Sequence, residues 1–154
     1  VNLMKNNLLD KAIKKMDFGK IIHTALSVPN TCALAVGPKS CIRIFYFQGR
    51  KKNLNDRLYM LPVSEIQLVS STHLDEFKEA VEEIFIRENP ENLIVLIMCP
   101  DIILGSNFEN LVKSLEEKYR KNIKLFKRGP LVDNMMCSSE RMMNIVNELS
   151  QKNI

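Results

Sequence analysis

Leu93-Ile94-Val95-Leu96-Ile97-Met98-Cys99 is the stretch that decides the fold. Its apolar residues run without alternation and stop at Pro100. A strand needs this pattern when both of its faces are covered, and that is the mark of a parallel sheet. The run is far too short for a membrane-spanning helix, which takes about 20 apolar residues.

The segments on either side have helical period. Upstream, Thr72-His-Leu-Asp75 reads as a capping box. After it, Leu74, Phe77, Ala80, Val81, Ile84 and Phe85 share one face, and Asn89-Pro90 ends the helix. Downstream, Ser106-Asn-Phe-Glu109 reads as a second capping box, followed by a stripe of Phe108, Leu111, Val112, Leu115 and Tyr119. Ile123-Lys-Leu-Phe126 is a further strand and Gly129-Pro130 a break. A last helix, capped by Ser138 or Ser139, carries Met142, Ile145, Val146 and Leu149.

Nearer the amino terminus, Leu8, Leu9, Ala12, Ile13 and Met16 recur at helical spacing, and Ile21, Ile22 and Ala25 continue it past Gly19. Pro29-Asn30 closes that region. Cys32-Ala-Leu-Ala-Val36 is a short buried strand, and Gly37-Pro38-Lys39-Ser40 is a turn. Cys41-Ile-Arg-Ile-Phe-Tyr-Phe47 reads as a strand by its β-branched and aromatic content, with a helix as the alternative, and period does not decide between them over seven residues. Residues 48–57 read as a polar, basic loop. Leu58 to Val69 holds a short extended segment and the fragment Val63-Ser-Glu-Ile-Gln-Leu-Val69. Strands alternating with helices predict an α/β fold: one Rossmann-like three-layer domain over 1–154, with a mostly parallel sheet of about four strands.

The composition agrees. The chain has 154 residues, 45% hydrophobic and 26% charged, enough for one core and not two. Its formal charge of +4 is mild. Basic residues gather in Arg50-Lys51-Lys52…Arg57 and in Lys118-Tyr-Arg-Lys121…Lys124…Lys127-Arg128. Such clusters can touch phosphates or an acidic partner, but they more often form a solvated face. Aromatics make up 6%, Trp is absent, and no RNA-recognition signature interleaves rings with the basic residues, so nucleic acid is not an expected partner. Neither is a membrane. The first residues, VNLMKNNLLDKAIKK, lack the apolar core of a secretory signal, so the cytoplasm is the expected setting.

Several chemical signatures are missing from the sequence. It contains no G-x-x-x-x-G-K-[ST], G-x-G-x-x-G, C-x-x-C or H-E-x-x-H. His23 and His73 read as surface or capping residues, and Glu82-Glu83 and Glu116-Glu117 as solvated helix faces. Of the four cysteines, Cys32 and Cys137 read as packing. Cys41 and Cys99 differ, because each follows the carboxyl end of a strand. In an open α/β sheet that is where ligands bind, near the point at which strand order reverses. Two thiolates do not complete a tetrahedral or cubane site, but two copies of the chain would supply four.

Val36-Gly-Pro-Lys-Ser-Cys41, after Ser27-Val-Pro-Asn-Thr-Cys-Ala-Leu-Ala35, resembles the nitrogenase component 1 segment in which an apolar strand runs into His-Gly-Pro-x-Gly-Cys. Pro62-Val-Ser-Glu-Ile-Gln-Leu-Val69 is similar to the Ser-Glu…Val stretch of that family. Asn92 to Asn107 is similar to its strand, cysteine and Ile-Gly-Asp-Asp helix entry. The order continues through Ile123–Phe126 and Gly129-Pro-Leu, so the resemblance covers about residues 16–133. It implies a component 1-like α/β domain and leans Cys41–Phe47 toward helix. It also implies an oxidoreductase subunit, if the chain is an enzyme at all, with a [4Fe–4S] cluster shared between subunits. Cys41 and Cys99 match two of the family's cluster cysteines, and Gly37, Ser40 and Gly105 fall in the surrounding motifs. The implied partners are a second copy or a component 1-like subunit, and an ATP-dependent iron protein as electron donor. Val36 stands at the motif's His, Ser40 at its second Gly and Ser106-Asn107 at its Asp-Asp, and an upstream cluster cysteine is missing. These departures suit an alternative: a cluster-free interaction or regulatory module derived from a component 1 domain.

Overall fold

A computed structural model describes residues 21–51, 53–98, 107–127 and 138–152. The strands β1 (Thr31–Gly37), β2 (Leu58–Pro62), β3 (Asn92–Ile97) and β4 (Asn122–Lys127) make one sheet. Their order is β2-β1-β3-β4 and every pairing is parallel. The two central strands are buried along their whole length, as the unbroken apolar run at 93–98 requires.

Alternate side chains of the central strands feed two layers. Ala33, Ala35, Ile94 and Leu96 face α1 (Ile21–Ala25), α2 (Lys39–Lys51) and α6 (Ser138–Lys152), where they meet Ile21, Ile22, Ile42, Phe45, Met142 and Leu149. Leu34, Val36, Leu93, Val95 and Ile97 face α3 (Glu65–Ser70), α4 (His73–Glu88) and α5 (Phe108–Tyr119), where they meet Phe77, Val81, Phe108 and Leu115. The α/β three-layer expectation is met. Small Ala33 and Ala35 pack in one cluster with bulky Ile and Phe side chains, pairing small with large in this layer.

A buried polar row sets the register at the amino-terminal end of the sheet. Thr31, Asn92 and Asn122 stand side by side on β1, β3 and β4. Asn92 Nδ2 donates to Thr31 Oγ1 at 3.2 Å, and Asn122 Nδ2 donates to Asn92 Oδ1 at 3.0 Å. Thr31 and Asn92 are fully buried. A one-residue slip would break both bonds and turn each apolar set to the wrong layer.

Local chemistry explains the helix ends. Cys41–Phe47 is helical, inside α2, because Ile42 and Phe45 reach the core at a spacing of three. The carbonyl of Pro38 accepts the N–H groups of Cys41 and Ile42 at 2.9 and 3.1 Å. The helix runs on to Lys51, into the stretch expected as loop. Asn55–Arg57 forms one 3-10 turn before β2. The fragment at 63–69 becomes α3. It opens on a reciprocal capping box in which Ser64 Oγ accepts from the Gln67 N–H and Gln67 Oε1 accepts from the Ser64 N–H.

Two further sequence expectations need correction. Thr72 precedes α4, but its backbone is itself helical and its side chain makes no cap. A capping residue needs extended dihedrals, and the tight turn from α3 to α4 denies them. The expected cap at Ser106 lies outside the described residues, and Asn107 at the start of α5 makes no side-chain cap of its own. His73 is fully buried rather than on the surface. Its ring meets Phe108 edge-on at 5.8 Å, and its Nδ1 lies 3.1 Å from the Gln67 carbonyl oxygen. The helical pattern at 8–16, the Gly129-Pro130 break and Cys137 also lie outside the described residues.

Asn92→Ala leaves the buried Thr31 hydroxyl with only its 3.3 Å bond to the Pro29 carbonyl and takes the acceptor from the half-buried Asn122 amide. The expected cost is about 1–3 kcal/mol, read as a lower urea midpoint at unchanged slope. A loss within about 0.3 kcal/mol would show that the row does not hold the register.

Candidate functional site

The chain leaves β1 for α2 and β2 on one side, and later places β3 on the other. Strand order therefore reverses between β1 and β3, and the carboxyl ends of these two strands form the natural ligand edge. On β1 the edge is Gly37, followed by Pro38 and the first turn of α2 with Lys39, Ser40 and Cys41. On β3 it is Ile97 and Met98.

Gly37 and Met98 close the floor of this edge. A Cβ on Gly37 would lie 2.6 Å from Met98 Cγ and 2.9 Å from Met98 Cβ, nearer than any side chain is tolerated. Its φ of +156° also suits glycine better than other residues. The Gly37 carbonyl accepts the Val63 N–H at 2.9 Å, which ties the end of β1 to the entry of α3.

The cysteines separate by exposure. Cys41 is a free thiol open to solvent in the first turn of α2. Cys32 is sealed against the α3–α4–α5 layer. Burial, with the nearby Glu88 charge second, pushes its thiol up to about 11, so it stays protonated through the neutral range. The structure thus brings Gly37, Ser40 and Cys41 together on one strand–helix junction, while Cys99 and Gly105 lie outside the described residues. Among the described residues no group of three or more His, Cys, Asp or Glu side chains could hold a metal ion. No described helix is long and apolar enough to cross a membrane.

Beside this edge stands α3, whose Ile66 and Val69 are 80% and 81% exposed. They lie on the helix that leaves the carboxyl end of β2. Sequence reasoning left this segment as an unassigned fragment. The signal that could have found it is Ser64 followed by Gln67, a capping box one residue before an apolar pair.

The other polar features are structural. Tyr59 O–H donates to Glu88 Oε1 at 2.6 Å, and burial together with that bond raises the phenol above its ordinary range. The basic cluster at 118–127 is largely neutralised within the chain. Lys118 pairs with Glu82 at 3.9 Å, Lys124 with Glu148 at 2.8 Å, and Lys127 with Glu109. Hydrogen bonding to Lys127 holds the Glu109 carboxyl below its usual range. Exposed pairs of this kind contribute little stability, about 0–1 kcal/mol each, but they do occupy the charges.

No protein-family model matches this chain, and no curated protein matches it. Solved structures do. One chain of nitrogenase Cp1, studied at pH 5, superposes with a TM-score of 0.62 at 12% identity, over 82% of this chain and 28% of that one. A second, nitrogenase Cp1 at pH 6.5, superposes with a TM-score of 0.56 at 14% identity, over 70% of this chain and 23% of that one. The likeness is one of fold. This chain spans about a quarter of the length of those it matches.

Two outcomes follow from the cysteine environments. In peptide mapping after brief alkylation, Cys41 is modified in the folded protein and Cys32 only on unfolding; equal labelling would contradict the burial. The second outcome is an alkaline decline in stability. The folded thiol of Cys32 keeps its proton to about 11, while in the unfolded chain it ionises from about 9. Its contribution is therefore complete below pH 9 and lost as the pH climbs toward 11. Tyr59 acts in the same sense at higher pH. Cys32→Val should shallow the decline seen in urea titrations over this range, and an unchanged slope would contradict the assignment.

Proposed function

We propose that residues 1–154 form a single nitrogenase-like domain that acts as a redox or metallocofactor-handling subunit, with a [4Fe–4S] cluster held between two chains. The observation that carries this reading is the placement of Cys41, an exposed thiol on the first turn of α2 at the point where strand order reverses. Cys99 follows the other strand of that junction in sequence.

The residues suit a shared cluster better than one enclosed by a single chain. Cys32 is sealed in the core, and Cys41 and Cys99, the two that the resemblance matches to cluster cysteines, are the thiolate pair each chain contributes in this reading. Two chains give four thiolates, the ligand set of a [4Fe–4S] centre. Such a cluster, when bound, supplies one-electron transfer. The chain's own part is to fix the ligands. Pro38 starts the helix that carries Cys41, and the Gly37–Met98 contact locks that helix to β3. The exposed Ser40 hydroxyl stands one residue from the ligand, where a donor can tune a bound sulfur. Gly105 is assigned by resemblance alone.

The apolar pair Ile66 and Val69 at the same edge supports association with a second copy or a component 1-like subunit, because apolar residues this exposed at a ligand edge suit an interface. An ATP-dependent iron protein is the electron donor in this reading, and the setting is cytoplasmic.

A second reading is favoured by the residues at the motif positions. With Val36 buried in the sheet where the family has its His, and Ser40 where it has Gly, the edge serves as a cluster-free interaction module. Anaerobic reconstitution with iron and sulfide separates the two. The cluster predicts absorbance near roughly 400 nm and about two irons per chain, both lost in Cys41→Ala or Cys99→Ala. A colourless protein with both thiols open to alkylation would leave only the interaction module.

A further inference from the structure

Helix α2 has a second face, which points away from the sheet. Lys39, Arg43, Tyr46, Phe47 and Arg50 follow one another at spacings of one, three and four and form one exposed stripe about three turns long. Ile42, Phe45 and Gly49 lie on the opposite, buried face. Tyr46 and Phe47 are 45% and 47% exposed, and their rings meet edge-on at 5.7 Å. The Arg43 guanidinium lies over the Phe47 ring, 5.7 Å from its centre.

Charge sets this stripe apart. The sequence of α2, KSCIRIFYFQGRK, contains no Asp or Glu. The other long helices, α4, α5 and α6, all carry acidic residues. In the second basic cluster Lys118, Lys124 and Lys127 pair with Glu82, Glu148 and Glu109, and Arg57 of the first is tied by its Nη2 to the Leu26 carbonyl at 2.9 Å. Lys39, Arg43 and Arg50 have no carboxylate partner among the described residues. The result is a pair of exposed rings flanked by arginines whose charge nothing in the described chain answers.

We propose that this face of α2 docks an acidic protein segment, one that places carboxylates against Arg43 and Arg50 and an apolar side chain on Tyr46 and Phe47. Arginine and aromatic residues, rather than lysine, are what anchor protein interfaces. An amphipathic helix with acidic residues about two turns apart and a leucine between them matches the span from Arg43 to Arg50. A phosphate backbone fits less well. Three cations over three turns are few for it, and the arginine already covers the Phe47 face that a base would stack on. A membrane also fits less well, since the apolar side of α2 is committed to the core. The inference goes beyond the cluster reading and stands whether or not Cys41 binds iron.

The probe is a labelled synthetic peptide of about four turns with the Glu-x-x-Leu-x-x-Glu spacing, titrated into the full chain at roughly 50 mM salt and followed by anisotropy. Saturable binding is expected, with amide shifts confined to α2 and a loss of affinity of at least about tenfold at roughly 300 mM salt. Arg43→Glu with Arg50→Glu should weaken binding by about tenfold or more, and Tyr46→Ala by several fold, with circular dichroism and thermal midpoint unchanged. Arg43→Lys with Arg50→Lys, which keeps the charge and removes the planar fork, should retain binding in part and serves if the reversal variant does not fold. Shifts on the 118–127 face, affinity unchanged in the substituted chains, or no binding at millimolar peptide would overturn the proposal. So would tighter, α2-dependent binding of a single-stranded oligonucleotide or of anionic phosphatidylserine vesicles.

Discussion

The pairing of β1 with β3 is the constraint on which the rest of the structure depends. Both strands are buried on both faces, so neither tolerates a slip, and every helix takes its place from the side chains they present. The polar row of Thr31, Asn92 and Asn122 fixes the pairing at one end, and the Gly37–Met98 contact closes it at the other. Between these points the alternation of Ala33 and Ala35 with Leu34 and Val36 assigns α1, α2 and α6 to one layer and α3, α4 and α5 to the other. The reversal of strand order, and so the ligand edge, follows from the same pairing.

Much of this was legible in the sequence where the signal is hydrophobic period. The run at 93–98 read as a doubly covered strand and is one, and the stripes at 74–85, 108–119 and 142–149 pack as their spacing implies. The segment at 41–47 was open because a helix and a strand both satisfy seven residues of that composition. Ile42 and Phe45 settle it, since only helical spacing carries both to the core. The errors lie where side-chain identity is a poor guide to backbone. Thr72 has the chemistry of a cap and a helical backbone, while Ser64, less conspicuous, forms the full capping box. His73 was misread because a polar residue at a helix start is usually wet. Here the ring of Phe108, distant in sequence and itself packed edge-on against Phe77, meets it.

The candidate edge was legible in position more than in chemistry. Strand ends located Cys41, the family resemblance added Gly37 and Ser40, and the structure has all three at one junction. Exposure then divides the cysteines in a way that composition does not: Cys41 faces solvent and Cys32 does not. The apolar pair on α3 and the basic, aromatic stripe on α2 were invisible as surfaces, because whether a residue is exposed depends on packing made by other elements. The fold likeness to nitrogenase Cp1 extends over about a quarter of that chain's length.

The central claim is that the edge around Cys41 is shared between two chains. Native mass spectrometry of the anaerobically reconstituted protein addresses it most directly, since mass reports subunit number and inorganic content together. The account predicts a species of two chains carrying one increment of four irons and four sulfides, reverting to apo-monomer in the Cys41→Ala chain. A four-iron increment carried by a single chain, or a two-chain species that forms equally well without iron and without Cys41, would contradict it.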